Sequence, residues 1–208
     1  ILSPHNDGYL PGNPNGGNCM NTRKKLYNMV LLALFAGLIF LMGQTPLGLI
    51  PLGFCNVTIL VIPVAVGTMY MGLKSGLLLG LAFGATSLVS AFIKPSALVA
   101  TLMAANPFLT IVMTILPRLC VPVTIYLVYK LMAEKRPHVA AAVSAAVGSL
   151  TNTVLYLGLM LLFYVICGID NTTVLTTIAA VAGGAGPAEA AAAAIICPPV
   201  VAALKKMR

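Results

Sequence analysis

Residues 57–93 read VTILVIPVAVGTMYMGLKSGLLLGLAFGATSLVSAFI, and Lys74 is the only charged residue among them. Two apolar runs, 57–73 and 75–93, therefore meet at Lys74, between Gly72 and Gly76. Each is about long enough to cross a ~30 Å hydrocarbon core as a helix, which rises ~1.5 Å per residue. The pattern predicts a tight helical hairpin. Outward from it, further apolar runs occupy about 26–43, 108–130, 139–167 and 187–204. The second run contains Pro63, and the last is Ala-rich and ends near Pro198-Pro199. The expected fold is an all-α membrane protein, a bundle of six transmembrane helices.

Composition agrees. Of 208 residues, 60% are hydrophobic and 8% charged, against about 25% charge in a soluble domain. A mean hydropathy of +1.01 also excludes a disordered chain, which is short of apolar residues. The single cysteines Cys19, Cys55, Cys120, Cys167 and Cys197 form no C-x-x-C pair, so neither a zinc site nor a disulfide framework is indicated. His5 and His138 both lie in polar segments, which leaves no metal site to propose. Residues 1–19, rich in Gly, Pro and Asn, read as a disordered leader. Met20-Asn21-Thr22-Arg23-Lys24-Lys25 resembles a natural start, and 20–208 is expected to form one six-helix domain.

The net charge of +8 is explained by where the charges fall. With a cytoplasmic N-terminus, the inner segments hold Arg23, Lys24, Lys25, Lys74, Lys130, Lys135, Arg136, Lys205, Lys206 and Arg208, whereas the outer loops hold Lys94. This positive-inside asymmetry puts both termini in the cytoplasm. Basic residues at alternate helix ends are not a nucleic-acid surface.

The outer connections are longer than the inner ones. Gln44–Asn56 reads QTPLGLIPLGFCN, with Pro46-Leu47-Gly48 echoed by Pro51-Leu52-Gly53. Pro and Gly predict irregular backbone there, either a cap over an outward-facing pocket or an ordinary connector. Residues 94–107 and Gly168–Gly186 are read as a second and a third outer loop.

Few side chains within the spans can carry chemistry. Arg118 follows Pro117 about ten residues from the outer end of the fourth run, hence ~15 Å deep. An arginine at that depth costs several kcal/mol and defaults to function. Its fork suits a carboxylate or phosphate on a solute, the alternative being a structural pair with a carbonyl or Glu189. Glu189 lies just past Pro187, where a helix would begin; the helix dipole explains it, as would a ligand contact at the outer mouth. In the fifth run Ser144, Gly148, Asn152 and Tyr156 share one face, with Thr151 and Thr153 flanking Asn152. Such groups either bond neighbouring helices or line a site, and Asn152 is the leading candidate because an amide both donates and accepts. Small residues form two stripes: Ala33 and Gly37 in the first helix, which suit internal packing or docking on another membrane subunit, and Gly76, Gly80 and Gly84 in the third, which suit internal packing.

No phosphate-binding G-x-x-x-x-G-K-[ST], no H-E-x-x-H and no G-x-S-x-G occurs, so no enzyme is expected. The two halves show no repeat and no intramembrane proton relay. A small bundle with a polar pocket and no energy source reads as a binder that needs a partner.

From about residue 21 to 208 the chain resembles the substrate-binding S components of energy-coupling factor (ECF) vitamin transporters. The resemblance is carried by Ala33-x-x-x-Gly37, by T-P-L-G-x-I-P-L-G-x-x-N-V-T at 45–58 and by G-x-x-x-G-x-x-F-G-x-x-S at 76–87. L-P-R at 116–118, G-S-L-T-N-T at 148–153, and the last helix with Glu189 and Pro198-Pro199 complete it. It implies a bacterial cytoplasmic-membrane protein that captures a vitamin from outside and docks on a transmembrane T component driven by two ATPases. ATP is then used by the partners, and this chain binds no cofactor. On that likeness Arg118, Asn152, Glu189, Tyr156 and Asn56 contact substrate. Pro46, Gly48, Pro51 and Gly53 belong to the gating loop, and Ala33 and Gly37 meet the T component. The T-P-L-G and G-S-L-T-N-T signatures resemble the pantothenate branch, although Val61 stands where many of these relatives carry His. Riboflavin, folate, pyridoxine and a queuosine precursor stay open as substrates. So does a self-contained small-solute transporter or channel.

Overall fold

The computed structural model describes residues 16–45, 49–51, 56–58, 60–134, 136–169 and 172–206. It is helical throughout apart from one short hairpin, in which β1 (Leu49–Pro51) pairs antiparallel with β2 (Asn56–Thr58). Among the described residues five helical segments are long and apolar enough to cross a membrane, and a shorter apolar helix accompanies them. The first, α1 (Gly16–Gln44), starts inside the stretch read as a leader.

The second run differs from its expected span. Helix α2 (Val61–Met71) begins four residues later than 57, because Asn56–Thr58 is taken up by the hairpin. Pro63 falls in its first turn, where an N–H would have no intrahelical acceptor. At 11 residues α2 reaches ~16 Å, roughly half of a hydrocarbon core. It carries no polar face, and nine of those residues are buried. A helix apolar on all sides belongs at the centre of a bundle, and α2 indeed packs on α1, α3, α5, α6 and α8. Gly72, at φ 89°, turns the chain directly into α3 (Leu73–Ile93), so the tight hairpin is present. A side chain would be strained in that conformation.

Two of the segments read as outer loops contain helices. Helix α4 (Ala97–Ala105) lies within 94–107. The breakers Lys94-Pro95-Ser96 and Asn106-Pro107 bound this helix instead of dissolving it, since ALVATLMAA between them is made of good helix formers. Asn106 then caps α5 (Pro107–Met132), its side chain accepting from the Phe108 and Leu109 amides at 3.1 and 3.4 Å. Helix α6 (Pro137–Ile166) follows. In the third loop, α7 (Thr172–Ala180) continues through a π-helical turn (Val181–Ala185) into α8 (Gly186–Lys206). Pro187 and Glu189 thus lie in the first turn of α8, as expected, but the chain enters that turn from a π-helical segment and not from a loop. The wider turn just upstream absorbs the hydrogen bond and the space that a proline ring denies to an α-helix.

Two apolar cores result. One gathers Ile39, Val64, Leu79, Phe83, Val121, Ile125 and Ala145 around α2. The other joins α4 to the upper parts of α5 and α6 and to α7 through Leu102, Met113, Met160 and Val174. The Tyr164 hydroxyl, buried in this second core, donates to the Leu98 carbonyl at 2.7 Å and so fastens α4 to α6. At the opposite end Lys205 Nζ donates to the Tyr129 hydroxyl at 2.5 Å, tying the end of α8 to the end of α5.

Candidate functional site

Between the two cores the facing parts of α5 and α6 carry buried polar side chains: Thr114, Arg118, Ser149 and Asn152. Two prolines shape this layer. Each lacks an N–H, so each frees the carbonyl four residues before it. Pro117 frees the Met113 carbonyl, and Arg118 Nη1 donates to that oxygen at 3.4 Å. Pro122 frees the carbonyl of Arg118 itself, which turns toward Gly80 of α3: a Cβ built there would lie 2.6 Å from that oxygen. The order Pro-Arg thus supplies both the cation and one of its acceptors.

The Arg118 side chain is 5% exposed. Its Cζ lies 4.5 Å from the centroid of Tyr156 on α6 and 5.4 Å from that of Phe83 on α3. These are cation–π distances to rings from the two helices that flank α5. With the rings in place and Nη1 committed to Met113, the Nε side of the fork remains. Buried Nε has no hydrogen-bond partner. Glu189 on α8 is close enough for its charge to act on Arg118, and it accepts from the Thr153 hydroxyl at 3.4 Å.

Hydroxyls near this layer are mostly occupied by their own helix. Thr114 bonds the Thr110 carbonyl at 2.7 Å, Thr151 the Val147 carbonyl at 2.8 Å, and Ser144 the Ala140 carbonyl at 2.6 Å. Asn152 differs. It is 4% exposed, and its Oδ1 has no partner.

The structure brings Tyr156 and Glu189 to Arg118 and buries Asn152 one turn from Tyr156 on the same α6 stripe. It separates Ser144 and Gly148 from them, although these share the α6 stripe: Gly148 packs on Ile125 and Ser144 sits at the α2 side of the inner core, against Met69. Phe83 escaped the sequence reading; its signal was its place between Gly80 and Gly84, on the stripe that meets α5. That glycine stripe is internal packing, with Gly76 on Thr68, Gly80 on Arg118 and Pro122, and Gly84 on Ile115. Ala33 and Gly37, by contrast, are exposed, and a Cβ at Gly37 would meet nothing within 4 Å. Asn56 and Pro51 are placed as strand residues whose side chains are not described, and Pro46, Gly48 and Gly53 lie outside the described residues. Among the described residues no three His, Cys, Asp or Glu side chains gather as a metal site.

No curated protein matches the chain. A family model for the substrate-specific component of ECF transporters matches residues 27–201. That match takes in the polar layer, three of the five long apolar segments whole and most of the other two, and the chain therefore belongs to the substrate-specific components of ECF transporters.

Proposed function

We propose that this S component captures a small carboxylate-bearing vitamin, pantothenate in particular, at Arg118. The observation that carries the reading is a guanidinium 5% exposed whose Nε lacks a partner. A desolvated cation held between two rings is costly without an anion, and the Nε side of an arginine fork matches a planar carboxylate. Tyr156, Asn152, Glu189 and Asn56 are the further substrate contacts, and Glu189 offsets only part of the Arg118 charge, since Nε is left without a partner. The chain crosses a bacterial cytoplasmic membrane six times with both termini inside, α2 making the second crossing.

Calorimetry of the purified chain tests this reading. Saturable one-to-one binding of pantothenate, with riboflavin, folate and pyridoxine inert, is the expected result; binding of one of those instead would reassign the substrate. Pantothenate flux into proteoliposomes holding this chain alone would favour a self-contained transporter.

Delivery requires docking on a T component, and the open stripe of Ala33 and Gly37 suits a close helix–helix approach. Gly37→Leu is expected to leave pantothenate affinity within about twofold and to weaken co-purification with the T component and ATPases at least about tenfold. An intact complex would refute the docking face.

A further inference from the structure

We infer that the end of the bundle away from the hairpin holds an anionic phospholipid, whose phosphodiester accepts from Lys205 Nζ and the Tyr129 hydroxyl together. That end is cytoplasmic in the orientation proposed above. Tyr129 lies about three helical turns along α5 from Arg118, so this site is separate from the polar layer.

Four exposed cations gather there: Lys130 in the last turn of α5, Arg136 at the N-terminal boundary of α6, and Lys205 and Lys206 in the last turn of α8. Among the described residues Glu134, in the α5–α6 turn, is the one carboxylate at this end. Helix dipoles and the positive-inside rule account for cations at such ends, but not for the partner Lys205 takes. Its Nζ donates to the Tyr129 hydroxyl at 2.5 Å and lies 5.1 Å from the centroid of that ring. An ammonium has three N–H groups, and here it directs one at a neutral phenol. The phenol, having accepted, still has its own proton to donate. Among the described residues no other hydrogen bond engages either side chain. Two donors from different helices are thus side by side and short of an acceptor. One phosphate, with several lone pairs and a negative charge, serves both, and charge-assisted hydrogen bonds are the stronger kind.

The surroundings favour a lipid over a free phosphate. Tyrosine and lysine at the ends of membrane-crossing helices sit at headgroup depth, and basic pockets between such ends take acidic headgroups. Beside the cations there is also open apolar surface for acyl chains: Leu131, next to Lys130, is 80% exposed, and Leu127, one turn earlier, 53%. A free phosphate would leave that surface unused. The excess of positive charge selects an anionic lipid over a zwitterionic one, whose own ammonium is repelled.

The test titrates the purified full chain with dioleoylphosphatidylglycerol, dioleoylphosphatidylcholine and inorganic phosphate, and follows the bound species by native mass spectrometry. Wild type is expected to retain one phosphatidylglycerol at least about tenfold more tightly than phosphatidylcholine, and to hold inorganic phosphate more weakly than either lipid. Tyr129→Phe, which changes no charge, should weaken phosphatidylglycerol binding about 3- to 10-fold, and Lys205→Met about tenfold or more. Lys74→Gln, exposed at the α2–α3 turn of the same end, should change it less than about twofold. Equal retention of the two lipids by wild type would overturn the inference. Inorganic phosphate bound as tightly as the lipid would overturn the lipid assignment. Equal losses in Lys74→Gln and Lys205→Met, with none in Tyr129→Phe, would reduce the attraction to diffuse surface charge and overturn the site. The wild-type comparison needs no variant, and no readout involves the vitamin, so this inference and the reading of Arg118 stand or fall separately.

Discussion

Arg118→Met is expected to weaken pantothenate binding by at least about 30-fold while the protein stays folded. The size follows from the site's electrostatics: truncating one partner of a buried, hydrogen-bonded charge pair costs about 2–5 kcal/mol, or roughly 30- to several-thousand-fold in affinity. Methionine keeps the volume and the contact with Phe83 and Tyr156 but brings neither charge nor donor. The effect on the unliganded fold is small because two changes oppose one another. Removing a desolvated cation is favourable, whereas the Met113 carbonyl, freed by Pro117, loses its donor. Arg118→Lys should fall between, since an ammonium keeps the charge but cannot present the planar fork. Calorimetry for affinity and thermal melting for integrity check both parts. Wild-type affinity in Arg118→Met would remove the arginine from the site.

The second large effect lies in α3. Gly80→Ala is expected to lower the melting temperature in detergent by about 4–10 °C and to weaken pantothenate binding as well. A Cβ at position 80 would sit 2.6 Å from the Arg118 carbonyl oxygen and 3.1 Å from the Pro122 ring. The first is a backbone atom and the second a rigid ring, so neither can swing aside. Overpacking of this kind costs about 1–3 kcal/mol, or a few degrees per kcal/mol for a chain of this length. Relief requires α5 to move away from α3, which carries Arg118 away from Phe83. Gly158→Ala is the matched control: a Cβ there meets nothing within 4 Å, and alanine is the better helix former. Equal melting temperatures for the two variants would sink the close approach.

Legibility in the sequence followed the length of the signal. Five long apolar segments stand out because an uncharged run of ~20 residues suits little besides a helix across a bilayer. Helix α2 was blurred because its apolar run begins at Val57, four residues before the helix does. Helices α4 and α7 were hidden by the Pro, Gly and Asn that flank them, which mark boundaries without saying what lies between. At the site, Arg118 announced itself as a charge where none is cheap, and Asn152 and Tyr156 by their spacing. That spacing did not separate them from Ser144 and Gly148, since position along a stripe, and which core it meets, depends on the partner helix. Phe83 carries no mark in an apolar helix. The Met113 carbonyl is backbone, visible only through the proline four residues later.

The brevity of α2 bears on how the protein enters the bilayer. A helix of eleven residues holds too little hydrophobic surface to partition securely as a lone segment, whereas the 21-residue α3 suffices. Gly72 joins the two with no intervening loop, so the insertion machinery would have to accept them as a pair, with α3 drawing in its shorter neighbour. Biogenesis is then most vulnerable at this turn. A lesion at Gly72 would leave α2 stranded before any ligand site exists to be damaged.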